Sequence, residues 1–443
     1  MKKIRLVAIT DEKRKLSNEL IVEALVTSEL IRVADGFVYF KKQNDAYWSK
    51  FLLGSAELQV LLRKEVFEEA NKVSKAQMEK VLEDLSVDPR VQVGVNHFTH
   101  PDYINCRNGV LCLSTAECTA HGEKNLDFDY LIDINYSTVV SEDEFPNFRE
   151  FLEASVGCEW GSKKTKYLLE SLGYLLSDNR TLRQSVIFLG GSGCGKSTLA
   201  KVIERCILPM SVVSAVTLGQ FGNKFDLEVA IGTKLNLCNE LESGKAKNWQ
   251  IFKMLAAKEH VVVDKKYSQP RKVLPRAQLL FCGNQLPDLP TEDVGAIISR
   301  LNVIQFSGDV NESQRDLHLG EKLYEEKDSF LSFALQAFTA VLHRNGSFTI
   351  PDDTKRLVGQ YLEEQESISA FIKERLIFGE NQDGLHHQEL EGEYEMYCKE
   401  NLLPKKPYRK LKAQLLRVPS VEERRFRRGK NLRGLLGLGF RKG

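Results

Sequence analysis

The chain has 443 residues, 42% of them apolar and 28% charged, which is enough to bury several cores and excludes a fibrous or disordered protein. The formal net charge is +1, but residues 404–443 carry 14 Lys/Arg against 2 Asp/Glu, leaving 48 against 59 elsewhere. A basic tail on an acidic body points the tail toward an anionic partner, most often nucleic acid. The nine cysteines are odd in number and scattered, which argues against a disulfide scaffold and for reduced thiols.

In chain order, Lys2, Lys3 and the apolar Leu6–Ile9 imitate a leader, but Asp11, Glu12 and Lys13 cut it short. No run approaches a membrane span. Residues 1–140 mix helical stretches (Glu57 to Leu85) with short strands (Gly36 to Phe40, Gly109 to Leu113) and form an α+β region of uncertain role. His97, His100, Cys106 and Cys112 lack a tight Cys-x2-Cys knuckle, so no zinc is expected there. Phe145 to Leu176 has helical spacing, giving a helical collar over 141–182.

From Ser185 the pattern changes to short apolar runs: Ser185–Leu189, Val212–Val216, Lys234–Cys238, Gln278–Cys282 and Asn302–Phe306. They predict an α/β fold with a parallel sheet of about five strands over 183–310. Asp316 to Leu342 and Asp353 to Leu376 return to helix within a region 311–380. The remainder, 381–443, has the size of a small winged-helix-like module.

The most specific motif is Gly190-Gly191-Ser192-Gly193-Cys194-Gly195-Lys196-Ser197-Thr198, with a strand entering and a helix from Thr198 to Ile207 leaving. It fits G-x4-G-K-S/T in full. Glycines let backbone N–H groups turn inward on a phosphate, and the helix N-terminus adds its positive dipole end. Lys196 is expected on the β/γ-phosphates of ATP and the Ser197 hydroxyl on Mg²⁺. Glu240 ends the stretch Lys234 to Glu240 and suits the Mg²⁺ shell and polarisation of the attacking water, with Glu242 a second acid nearby. Asn284 leaves the next strand and can sense the γ-phosphate. Arg300, before the last strand, suits charge neutralisation from a neighbouring subunit. The four residues are expected along one catalytic edge.

These residues resemble superfamily 3 helicases of the poxvirus, phage and plasmid primase-helicase type. The resemblance covers roughly residues 100 to 400 and includes Ile104–Leu111, Pro146-Asn147-Phe148, Leu172–Leu176, Lys224-Phe225-Asp226-Leu227 and Leu286-Pro287. It implies an AAA+-related core, a homo-hexameric ring, 3′-to-5′ translocation on single-stranded DNA and action on forked or duplex DNA. A bacterial host cytoplasm, self-loading at an origin and a separate primase or polymerase fit the same picture. The resemblance also implies a DNA-contacting hairpin after Lys253, with Lys265, Lys266 and Tyr267 at its tip. Ala257-Lys258 stand there where relatives carry Gly-Gly. Asp127-Phe128-Asp129 lacks the basic surroundings of a primase site, so primase activity is not expected. Arg424, Arg425, Arg427 and Arg428, interleaved with Phe426, are the expected duplex contact. The alternative reading is a DNA-binding initiator that uses ATP as an assembly switch.

Overall fold

The structure is a computed structural model that describes residues 17–441 except 43–44, 66–72, 95, 242–247, 264–269, 288, 291–292, 309–315, 380–381 and 429. The N-terminal part begins with α1 (Asn18–Thr27), β1 (Ile31–Ala34), β2 (Phe37–Phe40), β3 (Ser49–Leu52), α2 (Ala56–Glu65) and α3 (Lys75–Val87). The Ser17 and Ser74 hydroxyls cap α1 and α3 by accepting from Leu20 and Gln77 N–H groups. The strands form an antiparallel meander whose apolar face packs on α1 to α3.

Next come β4 (Tyr103–Cys106), β5 (Gly109–Cys112), β6 (Cys118–Thr119), β7 (Leu131–Ile132), α4 (Pro146–Val156) and α5 (Lys163–Leu176). The central α/β layer follows: β8 (Ser185–Gly190), α6 (Lys196–Arg205), β9 (Ile207–Leu208), β10 (Val213–Ser214), α7 (Lys224–Ile231), β11 (Leu235–Cys238), α8 (Trp249–Ala256), β12 (Val261–Val263), β13 (Arg271–Val273), β14 (Gln278–Gly283), α9 (Val294–Ile298) and β15 (Leu301–Phe306). Its sheet runs β10-β11-β14-β8-β15 with every pairing parallel. That matches the five predicted apolar runs. β14 and β8 are buried along nearly their whole length, as a sheet covered on both faces requires. Asn236 is the polar exception in β11: its side chain bonds both backbone groups of Val216, completing the sheet edge.

The predicted helical stretch Phe145–Leu176 is two helices. Gly157 (φ 69°) closes α4 in the left-handed region, and the Ser162 hydroxyl opens α5. The Glu326 carboxylate accepts from the Asn147 and Phe148 N–H groups at 3.1 and 3.0 Å, capping α4 from a distant part of the chain. The predicted helices after the sheet are α10 (Leu319–Glu325), α11 (Lys327–His343) and α12 (Asp352–Arg375). α11 lies on α5 so closely at Gly173 that any side chain there would strike Ala334 and Phe338. β9, in the α/β layer, pairs with β7 of the preceding part, so β6-β5-β4-β7-β9 is one sheet shared across both. One apolar core accordingly runs from Ile104 to Val341.

The C-terminal part contains β16 (Leu376–Phe378), β17 (Leu385–His386), α13 (His387–Glu400), α14 (Tyr408–Leu415), β18 (Glu422–Arg428), β19 (Lys430–Leu436) and β20 (Leu438–Phe440), around its own core. Two helices followed by the antiparallel β18–β19 hairpin replace the open tail that composition alone would allow. Among the described residues, no helix is long and apolar enough to cross a membrane.

Candidate nucleotide site

The turn after β8 is shaped by its glycines. Gly193 (φ 81°) and Gly195 (φ 92°) take left-handed backbone that a side chain would strain. A Cβ on Gly190 would run into the Phe306 carbonyl, and one on Gly195 into Ser155 and Phe151 of α4. The loop is thus wedged between β15 and α4, with the N-terminus of α6 opening behind it. Lys196 is 7% exposed. Its ammonium donates to the Gly190 and Gly191 carbonyls at 2.7 and 2.5 Å and lies 3.3 Å from Cys194 Sγ. Ser192 and Ser197 are exposed, and Thr198 is half-buried. Backbone N–H groups, one ammonium and a hydroxyl at a helix N-terminus make a donor set suited to polyphosphate and its divalent cation.

Because all five strands run the same way, residues that follow β8, β11 and β14 share one edge. Glu240 and Asn284 are both exposed there. The Leu241 N–H bonds the Cys282 carbonyl at 2.8 Å, folding the Glu240 turn over the end of β14 beside Asn284. In the sheet order, β14 stands between β11 and β8, so Asn284 emerges between the acid and the glycine loop. Glu242 lies outside the described residues. Burial pushes the Cys282 thiol, two residues before Asn284, up to about 12.

Arg300 is not on that edge. It precedes β15, and its carbonyl accepts from the Ser185 N–H at 2.8 Å, at the start of β8. The six residues of β8 (Ser185–Gly190) span ~20 Å, so Arg300 and the glycine loop of one chain stand at opposite ends of the sheet. Of the four residues expected along one edge, the sheet places Lys196 of the loop, Glu240 and Asn284 at one end and Arg300 at the other. Its guanidinium donates to the Ala296 carbonyl.

The same opposite end holds a buried ionic cluster. Lys234 Nζ sits 2.7 Å from Asp178 Oδ1, with both side chains almost fully buried, and lies over the Tyr130 ring. Burial would raise the Asp178 carboxyl, but Lys234 and Arg276 beside it hold it below the usual carboxylate value. Arg276 makes a two-pronged pair with Asp129 at 2.7 and 3.0 Å. The other acid of the Asp-Phe-Asp run, Asp127, bonds Trp48 Nε1 and His97, each at 2.8 Å. A cleft of about 400 Å³ nearby is lined by Phe37, Phe98 and Thr233, at the sheet end away from the glycine loop.

The segment after Lys253 does form a hairpin, β12 pairing antiparallel with β13. Lys265, Lys266 and Tyr267 come between the two strands in the sequence and lie outside the described residues. Lys258 occupies the Gly-like position with φ 55° and buries its ammonium against the Arg276 and Ala277 carbonyls. Removal from water, then the charges of Lys234 and Arg180, pull its pKa down to about 7. Both legs of the hairpin, at Lys258 and Arg276, are therefore tied to the buried cluster. Lys253 is held by Asp293 at 2.6 Å, and a DNA strand reaching it has to compete with that carboxylate.

On the C-terminal hairpin, Arg424, Arg425, Arg427 and Arg433 are exposed, and Phe426 packs against His386. Arg425 stands directly opposite Arg433, a like-charge pairing that costs stability unless an anion lies across it. Arg424 is paired with Glu422 at 2.8 Å. Arg428 is placed by register only, opposite Lys430.

The model of a family of unknown function, DUF5906, matches residues 188–300. That span contains the glycine loop, Glu240, Asn284 and Arg300. No curated protein sequence matches the chain. Among solved structures, the apo structure of NrS-1 C terminal region (305-718) is 12% identical, with a TM-score of 0.49, covering 96% of this chain and 100% of that one. The A form apo structure of the same region gives 11% identity and a TM-score of 0.48, covering 94% and 99%.

Proposed function

We propose that this chain is an ATP-driven DNA helicase of a phage, plasmid or genomic island, working as a ring of identical subunits, most simply a hexamer. The observation that carries the reading is the shared edge on which the glycine loop with Lys196, the Glu240 turn and Asn284 meet. The loop and Lys196 bind the ATP phosphates. Ser197 and Glu240 hold Mg²⁺, directly or through water, and Glu240 also polarises the attacking water. Asn284 bonds the γ-phosphate or that water and reports its loss.

Arg300 supports a multi-subunit site, because one chain cannot use it on its own nucleotide. In a ring, the Arg300 end of one sheet faces the loop end of the next, and the guanidinium neutralises transition-state charge. The β12–β13 hairpin carries Lys265 and Lys266 toward single-stranded DNA, and the Arg425–Arg433 pair holds duplex phosphates. The domain partition at 140, 182, 310 and 380 and the winged-helix-like character of 381–443 belong to the same proposal. So does a DNA-replication role in a host cytoplasm.

Mixing inactive subunits tests the trans site. Arg300→Ala and Lys196→Ala are each expected to hydrolyse ATP at about 1% of the wild-type rate or below, the scale set by removing one transition-state donor. Mixed in equal amounts, they regain a clear fraction, because some interfaces pair an intact loop with an intact arginine. Absence of rescue, with normal assembly by light scattering, would count against the role given to Arg300.

A further inference from the structure

The chain leaving the Asn284 edge is gripped by two residues from outside the α/β layer. The Tyr361 hydroxyl, on α12, donates to the Pro287 carbonyl at 2.6 Å and accepts from the Leu289 N–H at 3.1 Å. The Gln414 amide, on α14 of the C-terminal part, donates to the Leu289 carbonyl at 2.8 Å. All three partners are buried: Tyr361 is 6% exposed, Gln414 7% and Leu289 0%. Lys406, on the approach to α14, lies over the Tyr361 ring at 4.8 Å. Leu289 thus has both backbone groups satisfied by side chains, one from each element. Asn284 is five residues upstream of Leu289. The β18–β19 hairpin with its exposed arginines shares its core with α14 through Leu411, Leu415 and Leu435.

We infer that Tyr361 and Gln414 are positioning residues that couple duplex DNA on the C-terminal hairpin to ATP hydrolysis at the Asn284 edge. The inference deepens the proposed function and rests on it: the arginine hairpin must bind DNA, and Asn284 must act on phosphate. Phosphates lying across Arg425 and Arg433 shift the module as one body. Gln414 moves with α14, and Leu289, which it holds, adjusts the exit of β14. Tyr361 supplies the fixed point, since its side chain belongs to the apolar core of the central layer together with Leu357 and Val358, whereas Ile368 and Phe371 further along α12 join the C-terminal core.

The test uses the full chain, with phosphate release measured with and without a blunt duplex of random sequence, and duplex binding read by fluorescence anisotropy. Gln414→Leu and Tyr361→Phe keep side-chain bulk and remove only the polar contacts. Each is expected to retain duplex affinity and the KM for ATP while losing about fivefold or more of the duplex-stimulated kcat, the weight of one neutral hydrogen bond at Gln414 and of two at Tyr361. Gln414→Met, which keeps size and has no donor, should match Gln414→Leu rather than wild type; a merely space-filling role leaves both variants at the wild-type level. Wild-type stimulation in both Gln414→Leu and Tyr361→Phe would overturn the coupling while leaving the functional reading intact. A wild type that hydrolyses no ATP, or binds no duplex, would overturn that reading and the coupling with it.

Discussion

Lys196→Ala is expected to lower kcat/KM for ATP by about 10²–10³-fold with no loss of fold. The ammonium is the one charged group on the loop, and it sits almost fully buried between the Gly190 and Gly191 carbonyls. In the proposed function, ATP phosphates would displace those carbonyls and gain a charge-assisted contact that strengthens as the γ-phosphoryl group leaves. The backbone N–H groups and the α6 dipole survive the substitution, so nucleotide binding falls less than turnover. Phosphate release against ATP concentration, alongside the melting temperature, checks this. Wild-type turnover in the variant would remove Lys196 from the chemistry.

Asp178→Ala is expected to cost about 3–5 kcal/mol, because it strands a buried ammonium. Lys234 is 0% exposed, and Asp178 Oδ1 is its ion-pair partner at 2.7 Å. The Tyr130 ring beneath it offers a weaker attraction that does not replace a carboxylate. Adding Lys234→Met to Asp178→Ala should recover most of the loss, since the double change leaves no buried charge unpaired. Denaturant midpoints of the two variants against wild type are the measurement. Equal midpoints for the single and double variants would show that the stranded Lys234 ammonium is not the source of the loss.

The sheet was legible because its five strands are uninterrupted apolar runs, and the glycine loop because few other sequences place Gly, Lys and Ser at that spacing. Gly157 hid the division of α4 from α5: apolar residues keep helical spacing within both helices, and the left-handed turns at Gly157 and Gly161 with the Ser162 cap separate them. Arg300 was misplaced for a reason the sequence already contains. It precedes its strand, whereas Glu240 and Asn284 follow theirs, and in a parallel sheet those are opposite ends. Lys258 illustrates what local patterns omit. A lysine in a glycine-like conformation reads as an interruption of the hairpin, yet its ammonium finds carbonyls that only the folded chain assembles. The Tyr361 and Gln414 contacts to 287–289 bridge 72 to 125 residues and leave no mark on periodicity or composition.

Strand separation tests the central claim most directly. A duplex carrying a single-stranded tail, incubated with the wild-type chain, ATP and Mg²⁺, is expected to be opened at a rate that requires ATP. Lys196→Ala and Lys266→Ala should both fail, the second while still hydrolysing ATP. A wild type that hydrolyses ATP yet opens no duplex with a tail of either polarity would contradict the helicase and leave a DNA-binding assembly switch in its place.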